Sequence, residues 1–313
     1  MSKVLVISGH PNLASSYTNS SILTALSAEV SDIEIRHLDQ LYPDYQIDVA
    51  AEQAALLSAD TIVFQFPFYW YSVPALLKKW LDDVFAYDFA YGSKGDKLKG
   101  KNLILSFTIG GPEESYDPLG YNHYPIEELI KPLKQTAYLA GLNMLPSIYT
   151  HRMVFIPGVY NTQEDVEKRA LNHASRLIDT LNVLANSAET RIKKFVADWF
   201  AEFDQLPDSD SFFLAKLAED INWVMPDGAF KGHAGFKDWY AIAKQTFQPG
   251  CDHQVEQIDV EKTNEGFEVN LRIRLIAQSL CGDDINMLVN ETWQMTEQTD
   301  KGLIIHDYQV TAI

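Results

Sequence analysis

Short apolar segments alternate with amphipathic segments through the first 184 residues, and this alternation constrains the fold more than any other feature of the sequence. Continuous apolar runs are typical of strands buried on both faces, whereas a 3.6-residue apolar period indicates helices. The predicted strands are 3–8, 33–38, 61–66, 102–108 and 147–156, and the predicted helices are 19–30, 48–58 with Asp48 as N-cap, 74–85, 126–140 and 162–184. Strands that alternate with helices indicate a parallel sheet covered on both faces. Five strands in this length suit a doubly wound α/β fold with strand order 2-1-3-4-5.

A small, polar stretch, LANSAET at 184–190, interrupts this pattern and predicts a boundary between a domain at 1–184 and a second at 189–313. The second domain begins with segments of helical period and ends with four strand-like segments. Its predicted helices cover 191–204, 209–218 and 234–247, with a short strand at 221–225. Helices followed by strands indicate an α+β unit.

The charge balance narrows the function classes. With 25 basic and 43 acidic residues the net charge is −18, which repels phosphate backbones and anionic lipid, so nucleic acid and bare membrane are poor partners. Cys251 and Cys281 are too few for a disulfide framework or a cysteine zinc site, and we expect no metal. Without a signal-peptide pattern or an apolar run of membrane-spanning length, the sequence predicts a cytoplasmic protein.

The loop after the first predicted strand, GHPNLASSYTNSS, is rich in hydroxyl groups and precedes a helix. The free backbone N–H groups and dipole of a helix N-terminus suit a phosphate group. The loop contains neither G-x-G-x-x-G nor a P-loop motif, so a flavin mononucleotide fits it better than a dinucleotide in a Rossmann site. Ordinary N-capping by Ser and Thr would give the same composition.

Two further loops carry aromatic, glycine and histidine residues. Residues 66–74, FPFYWYSVP, include five aromatics, whose exposed rings need a partner surface such as a flat isoalloxazine ring or a second subunit. The loop that begins TIGGPEES continues through Tyr116, Tyr121 and His123. Its paired glycines let the backbone approach a ligand, and Tyr and His side chains can donate to a carbonyl that is being reduced.

Several segments in order resemble the flavodoxin-like NAD(P)H:quinone oxidoreductase family, and most closely the ancillary oxidoreductase subunits of glutathione-gated potassium efflux systems. They are VISGHPN, SYTNSSIL, TIVFQFPFYWYSVPALLKKWLDDVF, AYGSKGDKLKGKNLILSFTIGG and GLNMLP. The resemblance implies flavin-phosphate positions at His10, Ser16, Tyr17, Thr18 and Asn19, and flavin-ring positions at Phe68, Tyr69, Trp70, Tyr71, Thr108, Ile109, Gly110 and Gly111. It also implies that Tyr116 and His123 face the substrate, although PEES makes this loop one residue longer than in relatives.

The same resemblance implies FMN as cofactor, FAD being used by some relatives, and NAD(P)H as hydride donor in a ping-pong reaction with a quinone-type acceptor. It also implies a homodimer with the flavin near the interface. Two alternatives stay open. One is an electron-transfer flavodoxin, whose acidity would suit basic partners. The other is a non-catalytic regulatory subunit that docks to a membrane potassium-efflux antiporter.

The C-terminal domain resembles the NTF2-like, or SnoaL-like, cone fold through LAEDINWVMPDGAFKGHAGFKDWYA. The resemblance implies a ligand-binding or dimerisation module, with an acid–base enzyme as the alternative. An enzyme would need a carboxylate or His inside the cone, for which Asp220, His233, His253 and Asp307 are candidates. Trp223 and Trp293 are expected to line the apolar core.

Overall fold

The computed structural model describes residues 3–280 and 282–313, and the chain divides into two compact units between Asn186 and Ser187. The strands of the first unit are β1 Val4–Ser8, β2 Ile33–His37, β3 Thr61–Pro67, β4 Asn102–Thr108, β5 Asn143–Met144 and β6 Ile148–Thr150. Its helices are α1 Tyr17–Glu29, α2 Leu38–Leu41, α3 Val49–Ser58, α4 Ala75–Val84, α5 Ile126–Leu129, α6 Lys131–Leu139 and α7 Gln163–Ala185.

The first unit is built on a parallel sheet whose order, β2-β1-β3-β4-β5, confirms the predicted 2-1-3-4-5, with β6 also paired to β4. All residues of β1 and β3 are buried, because both faces of the sheet are covered. Alternate residues of a strand point to opposite faces. Val4 and Val6 therefore join the core that contains residues of α1 and α7, whereas Leu5 and Ile7 join the core of α4.

Helix starts follow the expected capping chemistry. Asp48 accepts a hydrogen bond from the backbone N–H of Ala51, which confirms it as the N-cap of α3. Thr162 caps α7 by accepting from Asp165 in the same way. The predicted helix over 126–140 is divided at Ile130, directly before the Lys131–Pro132 pair. Proline disfavours a helical conformation in the preceding residues and cannot donate to an earlier turn.

The fifth strand predicted within 147–156 is confirmed only over its first residues, as β6 Ile148–Thr150. The chain pairs with β4 in two short pieces, β5 and β6, separated by residues 145–147. Pro146 lies in that gap and has no N–H to give to the ladder. After Thr150 the regular ladder ends, although the N–H of Met153 still donates to the carbonyl of Ile109 beyond the end of β4.

The second unit contains a separate mixed sheet. Its helices are α8 Ala188–Phe203, α9 Ser211–Leu214 and α10 Gly232–Thr246, and its strands are β7 Leu217–Met225, β8 Gly228–Lys231, β9 Asp252–Lys262, β10 Phe267–Ala277, β11 Ile285–Gln298 and β12 Gly302–Ala312. The strand order is β8-β7-β12-β11-β10-β9, and all neighbours are antiparallel except β7 and β12. Trp223 and Trp293 are fully buried in its core, as predicted.

One expectation for this second unit is wrong. The helix predicted over 209–218 is only the four residues of α9, because Leu217 already pairs with Ile305 in the sheet.

Two kinds of feature are absent from the part of the chain that the structure describes. No group of three or more His, Cys, Asp or Glu side chains is placed to hold a metal ion there. Nor does any described helix combine the length and apolar character needed to cross a lipid bilayer.

Candidate functional site

Three loops that follow neighbouring parallel strands meet at one edge of the first unit's sheet. In the ladder Ser8 is level with Gln65, and Pro67 is level with Thr108, so β1, β3 and β4 end close together. Ligands of open α/β sheets bind outside the carboxyl ends of such strands. The candidate binding residues all lie on these three loops or at the start of α1.

The first loop leads into a well-formed helix N-terminus. The side chain of Ser16 caps α1 by accepting from the backbone N–H of Asn19 at 3.2 Å. As in any helix, the first N–H groups have no intrahelical acceptor, and the helix dipole places partial positive charge there. Thr18 is buried beside this end, and the hydroxyl of Tyr17 accepts from the N–H of Phe155 at 3.1 Å. The arrangement offers donors to an anion.

His10 is buried at the start of the same loop. Its Nδ1 accepts from the N–H of Asn12 at 3.1 Å, which leaves the ring proton on Nε2 in the neutral form. Burial lowers the pKa of His10, although the negative charge of Asp39 and the hydrogen bond from Asn12 oppose this. Asp39 also fixes the loop, since its Oδ2 accepts from the N–H of Leu13 at 2.8 Å.

The second loop is a tight turn with a bulky tip. Tyr69 and Ser72 exchange two backbone hydrogen bonds of 3.1 and 3.0 Å. Between them Trp70 and Tyr71 have φ angles of 48° and 63°, the pair of left-handed residues typical of a type I′ turn. Such angles are uncommon for aromatic residues and cost on the order of 1 kcal/mol each. Trp70 is 92% exposed, so this strain holds an indole ring in solvent.

Phe68, in contrast, is buried under the turn. Its ring centroid lies 5.2 Å from that of Phe107 in β4. Of the four aromatic residues predicted to contact a flavin ring, Phe68 therefore supports the loop from below, whereas Tyr69, Trp70 and Tyr71 are all exposed.

The third loop brings the paired glycines beside a tyrosine. Thr108 and Ile109 are buried, and Gly110 and Gly111 are half-buried. A Cβ atom on Gly111 would lie 3.4 Å from Cε2 of Tyr116. Tyr116 therefore stands directly beside the glycine backbone, and burial raises the pKa of its hydroxyl.

His123 lies in the exposed part of the third loop. The residue is exposed and has a φ of 62°, and its backbone N–H donates to the carbonyl of Gly120 at 3.2 Å. Its neighbour Asn122 is the one tied to the aromatic turn, because Oδ1 of Asn122 accepts from the hydroxyl of Tyr71 at 3.0 Å.

The sequence analysis missed His151, the histidine that contacts Tyr116. Their ring centroids are 5.2 Å apart, and Nδ1 of His151 lies 3.3 Å from the carbonyl oxygen of Gly111. A carbonyl only accepts, so Nδ1 carries the proton and Nε2 is left as an acceptor. Burial lowers the pKa of His151 and keeps the ring neutral. The position directly after β6, at the ligand edge of the sheet, was the available signal, but the overlong predicted strand concealed it.

Direct contacts join the three loops into one site. The first and second loops meet at the rings of His10 and Tyr69, whose centroids are 6.3 Å apart. The first and third meet where Nδ2 of Asn19 donates to Oγ1 of Thr108 at 3.1 Å. The second and third meet where the N–H of Phe68 donates to the carbonyl of Thr108 at 2.8 Å. Fold and site together define a doubly wound α/β protein with a helix N-terminus and exposed aromatic rings at the carboxyl ends of its strands.

Comparison with known proteins makes the class specific. A sequence profile of the flavodoxin-like fold matches residues 2–177, and the chain belongs to that family. It is 40% identical over 194 residues to the uncharacterized NAD(P)H oxidoreductase YdeQ of Bacillus subtilis, covering 62% of this chain and 93% of the relative. It is 42% identical over 176 residues to the glutathione-regulated potassium-efflux system ancillary protein KefF of Klebsiella pneumoniae, covering 56% and 95%.

A solved structure agrees with this assignment. General stress protein 14 of Treponema denticola, in complex with FMN, is 33% identical and superposes with a TM-score of 0.52 over 57% of this chain and 99% of its own. The family match ends before the second unit begins.

In the second unit the four predicted acid–base candidates differ in their exposure and in their hydrogen-bond partners. Asp220 is exposed, Nε2 of His233 lies 3.1 Å from the carbonyl of Leu217, and Asp307 accepts from Asn222 at 2.9 Å. The fourth, His253, stacks on the ring of Phe200 with centroids 4.8 Å apart, and its Nδ1 pairs with Asp204.

The buried carboxyl group of the second unit is one that the sequence analysis missed. Glu291 is 4% exposed, and its Oε2 accepts from the indole N–H of Trp293 at 2.9 Å. Burial raises its pKa, with hydrogen bonds from Tyr308 and Trp293 and the nearby His253 opposing the shift. The signal was present, because Glu291 shares the face of β11 that carries the buried Val289 and Trp293.

Proposed function

We propose that the first unit is an NAD(P)H-dependent flavin oxidoreductase that reduces quinone-type acceptors. The observation that carries the proposal is the junction of the three loops through Asn19, Phe68 and Thr108, which brings the candidate phosphate-binding and ring-binding residues together. Relatives that are named NAD(P)H oxidoreductases support the same activity.

The residues present fit FMN. The phosphate would lie at the N-terminus of α1 against His10, Ser16, Tyr17, Thr18 and Asn19, where hydroxyl and N–H donors converge. The ring would lie between the turn at Phe68–Tyr71 and the backbone of Thr108–Gly111, where the absence of a Cβ permits close approach. The FMN complex of the Treponema relative supports this choice over FAD.

FMN, when bound, would supply two-electron hydride chemistry between NAD(P)H and the acceptor. We propose that the two substrates use the same face in turn, in a ping-pong sequence. The chain's part is to orient them and to donate to the oxygen of the acceptor as negative charge develops there. Tyr116 is suited to this donor role, because it stands beside the backbone of Gly111 and its phenol carries a proton near neutrality. We propose His123, in the exposed part of the third loop, as a second donor.

Partners are proposed on the same basis. The exposed rings of Tyr69, Trp70 and Tyr71 favour a homodimer in which a second copy covers the turn. We also propose that the protein is cytoplasmic and docks to a potassium-efflux antiporter, which the names of the KefF relatives support. For the second unit we propose an NTF2-like cone that binds a ligand or mediates dimerisation, because its helices and its six-stranded mixed sheet share one hydrophobic core.

The test begins with the absorption spectrum of the purified full chain and mass spectrometry of the released cofactor. Steady-state oxidation of NADH and NADPH with menadione then separates a reductase from an electron-transfer flavodoxin, which would not turn over with the quinone.

A negative charge introduced at the end of the helix tests where the phosphate binds. Ser16→Glu places a carboxylate at the cap of α1 and should abolish flavin retention, whereas Thr24→Glu, exposed on the same helix, should retain it. A yellow, active Ser16→Glu protein would contradict the proposed site.

A further inference from the structure

A chain of hydrogen-bonded side chains crosses the first unit from the surface of α7 to the candidate flavin site. It begins at an exposed guanidinium, passes under the sheet through four buried polar residues and ends at two hydroxyl groups. In order, its members are Arg176, Thr150, His173, Ser106, Gln65 and Asn19, and Asn19 then contacts both Ser16 and Thr108. Nothing in the proposed chemistry requires the buried part of this chain.

The first half of the chain joins α7 to β4. Nη2 of Arg176 donates to Oγ1 of Thr150 at 2.6 Å. Oγ1 of Thr150 lies 2.9 Å from Nδ1 of His173, and Nε2 of His173 lies 2.8 Å from Oγ of Ser106. His173 and Ser106 are fully buried.

The second half joins β4 to the flavin site. Oγ of Ser106 donates to Oε1 of Gln65, and Nε2 of Gln65 donates to Oδ1 of Asn19 at 2.9 Å. Nδ2 of Asn19 then donates to Oγ1 of Thr108 at 3.1 Å and to Oγ of Ser16 at 3.2 Å.

The guanidinium of Arg176 fixes the direction of this series of hydrogen bonds, that is, which group donates at each step. Arg can only donate, and its positive charge favours a lone pair of the imidazole, not an N–H, on the side that faces it. Nδ1 of His173 therefore accepts from the hydroxyl of Thr150, and the ring proton lies on Nε2, toward Ser106. Burial, together with the charge of Arg176, lowers the pKa of His173 to about 3, so the ring carries a single proton near neutrality.

The direction decides what the two terminal hydroxyl groups can do. Because the amide of Asn19 donates to both, the O–H bonds of Ser16 and Thr108 remain available to donate to a ligand. In the reverse direction Oδ1 of Asn19 would accept both protons, and the hydroxyl groups would present only lone pairs, Ser16 to the phosphate and Thr108 to the ring. Only the first arrangement suits an anion.

We propose that Arg176 is a positioning residue that orients the hydroxyl groups of Ser16 and Thr108 as hydrogen-bond donors to the flavin, acting through the side chains between them. The effect on flavin binding rests on the proposed function. The direction of the hydrogen bonds, however, is a property of the flavin-free protein and is measured there.

The first measurement is nitrogen-15 NMR of the His173 ring in the flavin-free full chain. The wild type should show the Nε2–H tautomer. Arg176→Met should give a mixture of tautomers, and Arg176→Lys, which keeps a cation, should restore the wild-type signals. Lys168→Met removes an exposed charge from the same helix and should change nothing.

The second measurement is flavin affinity by fluorescence titration. Arg176→Met should weaken FMN binding on the order of tenfold, the effect of one charge-assisted hydrogen bond. It should weaken riboflavin, which lacks the phosphate, by less. An Nδ1–H tautomer in the wild type, or an Arg176→Met protein with wild-type tautomer and FMN affinity, overturns the inference. A wild type that binds no flavin would refute the proposed function instead, and the tautomer alone would then decide the direction of the chain.

Discussion

The buried neutral imidazole of His173 makes the stability of the first unit sensitive to acid. Its pKa is about 3 in the folded protein, against about 6.5 for an exposed histidine. Between these values the unfolded chain binds a proton that the folded chain excludes. The contribution of this group is therefore full above about pH 6.5 and is lost as the pH falls toward 3.

The size of the effect follows from the difference between the two pKa values. Each pH unit below about 6.5 removes about 1.4 kcal/mol from the free energy of unfolding. Between pH 7 and pH 5 the loss from His173 alone should be about 2 kcal/mol. His173→Gln keeps a donor toward Ser106 but does not titrate. Between pH 7 and pH 5 its free energy of unfolding should therefore fall by about 2 kcal/mol less than that of the wild type.

Hydrogen exchange of peptides from β4, measured by mass spectrometry at pH 7 and pH 5 on the flavin-free full chain, reports unfolding of this unit alone. Groups that titrate in both proteins cancel in the comparison, and His123→Gln provides a control that removes an exposed ring. An identical pH dependence in wild type and His173→Gln would refute the reasoning, because it would mean that the buried ring takes up a proton as readily as an exposed one.

Three shorter predictions concern other buried groups. Glu52→Gln leaves Arg36 without its buried counter-charge, and urea denaturation should show a loss of about 2 kcal/mol, less than for a fully buried pair because Arg36 is partly exposed. Gly9→Ala would place a Cβ atom 2.9 Å from Cβ of Leu77, so its urea midpoint should fall by the equivalent of about 1–3 kcal/mol. An unchanged midpoint would show that α4 can shift to make room at no cost in stability. Glu291 has a raised pKa, so the second unit should lose stability as pH rises above the carboxyl's ordinary range. Glu291→Gln should reduce that loss of stability between pH 4 and pH 7, measured by calorimetry. The same dependence of stability on pH in both proteins would contradict the raised pKa of Glu291.

Elements whose cause is local could be predicted from the sequence. The strand at 102–108 has its predicted bounds, because a mostly apolar segment between Gly100 and Gly110 leaves little freedom of placement. Asp48 was predicted as an N-cap since the interaction spans only three residues. The strand order followed from a general preference of such alternations, not from any single residue.

Elements whose cause is distant could not be predicted. The chain from Arg176 to Asn19 joins residues up to 67 positions apart in one hydrogen bond, and the polar residues within it resemble any others in the sequence. The place of His151 beside Tyr116 depends on where β6 ends, which Pro146 and the pairing with β4 determine together. Glu291 is the exception, since the alternation of β11 marked it as inward-facing.

The interruption at Pro146 has a consequence for the behaviour of the protein at high concentration. A long, flat edge strand offers unpaired N–H and C=O groups that can template a neighbouring chain and start aggregation. At this edge the strands on either side of the interruption are only two and three residues long. At the opposite edge β2 carries Glu34 and Arg36, held in ion pairs, which disfavour addition of a strand from another molecule. Both open edges of a sheet that is otherwise rich in aggregation-prone apolar residues are thus protected against cross-β growth.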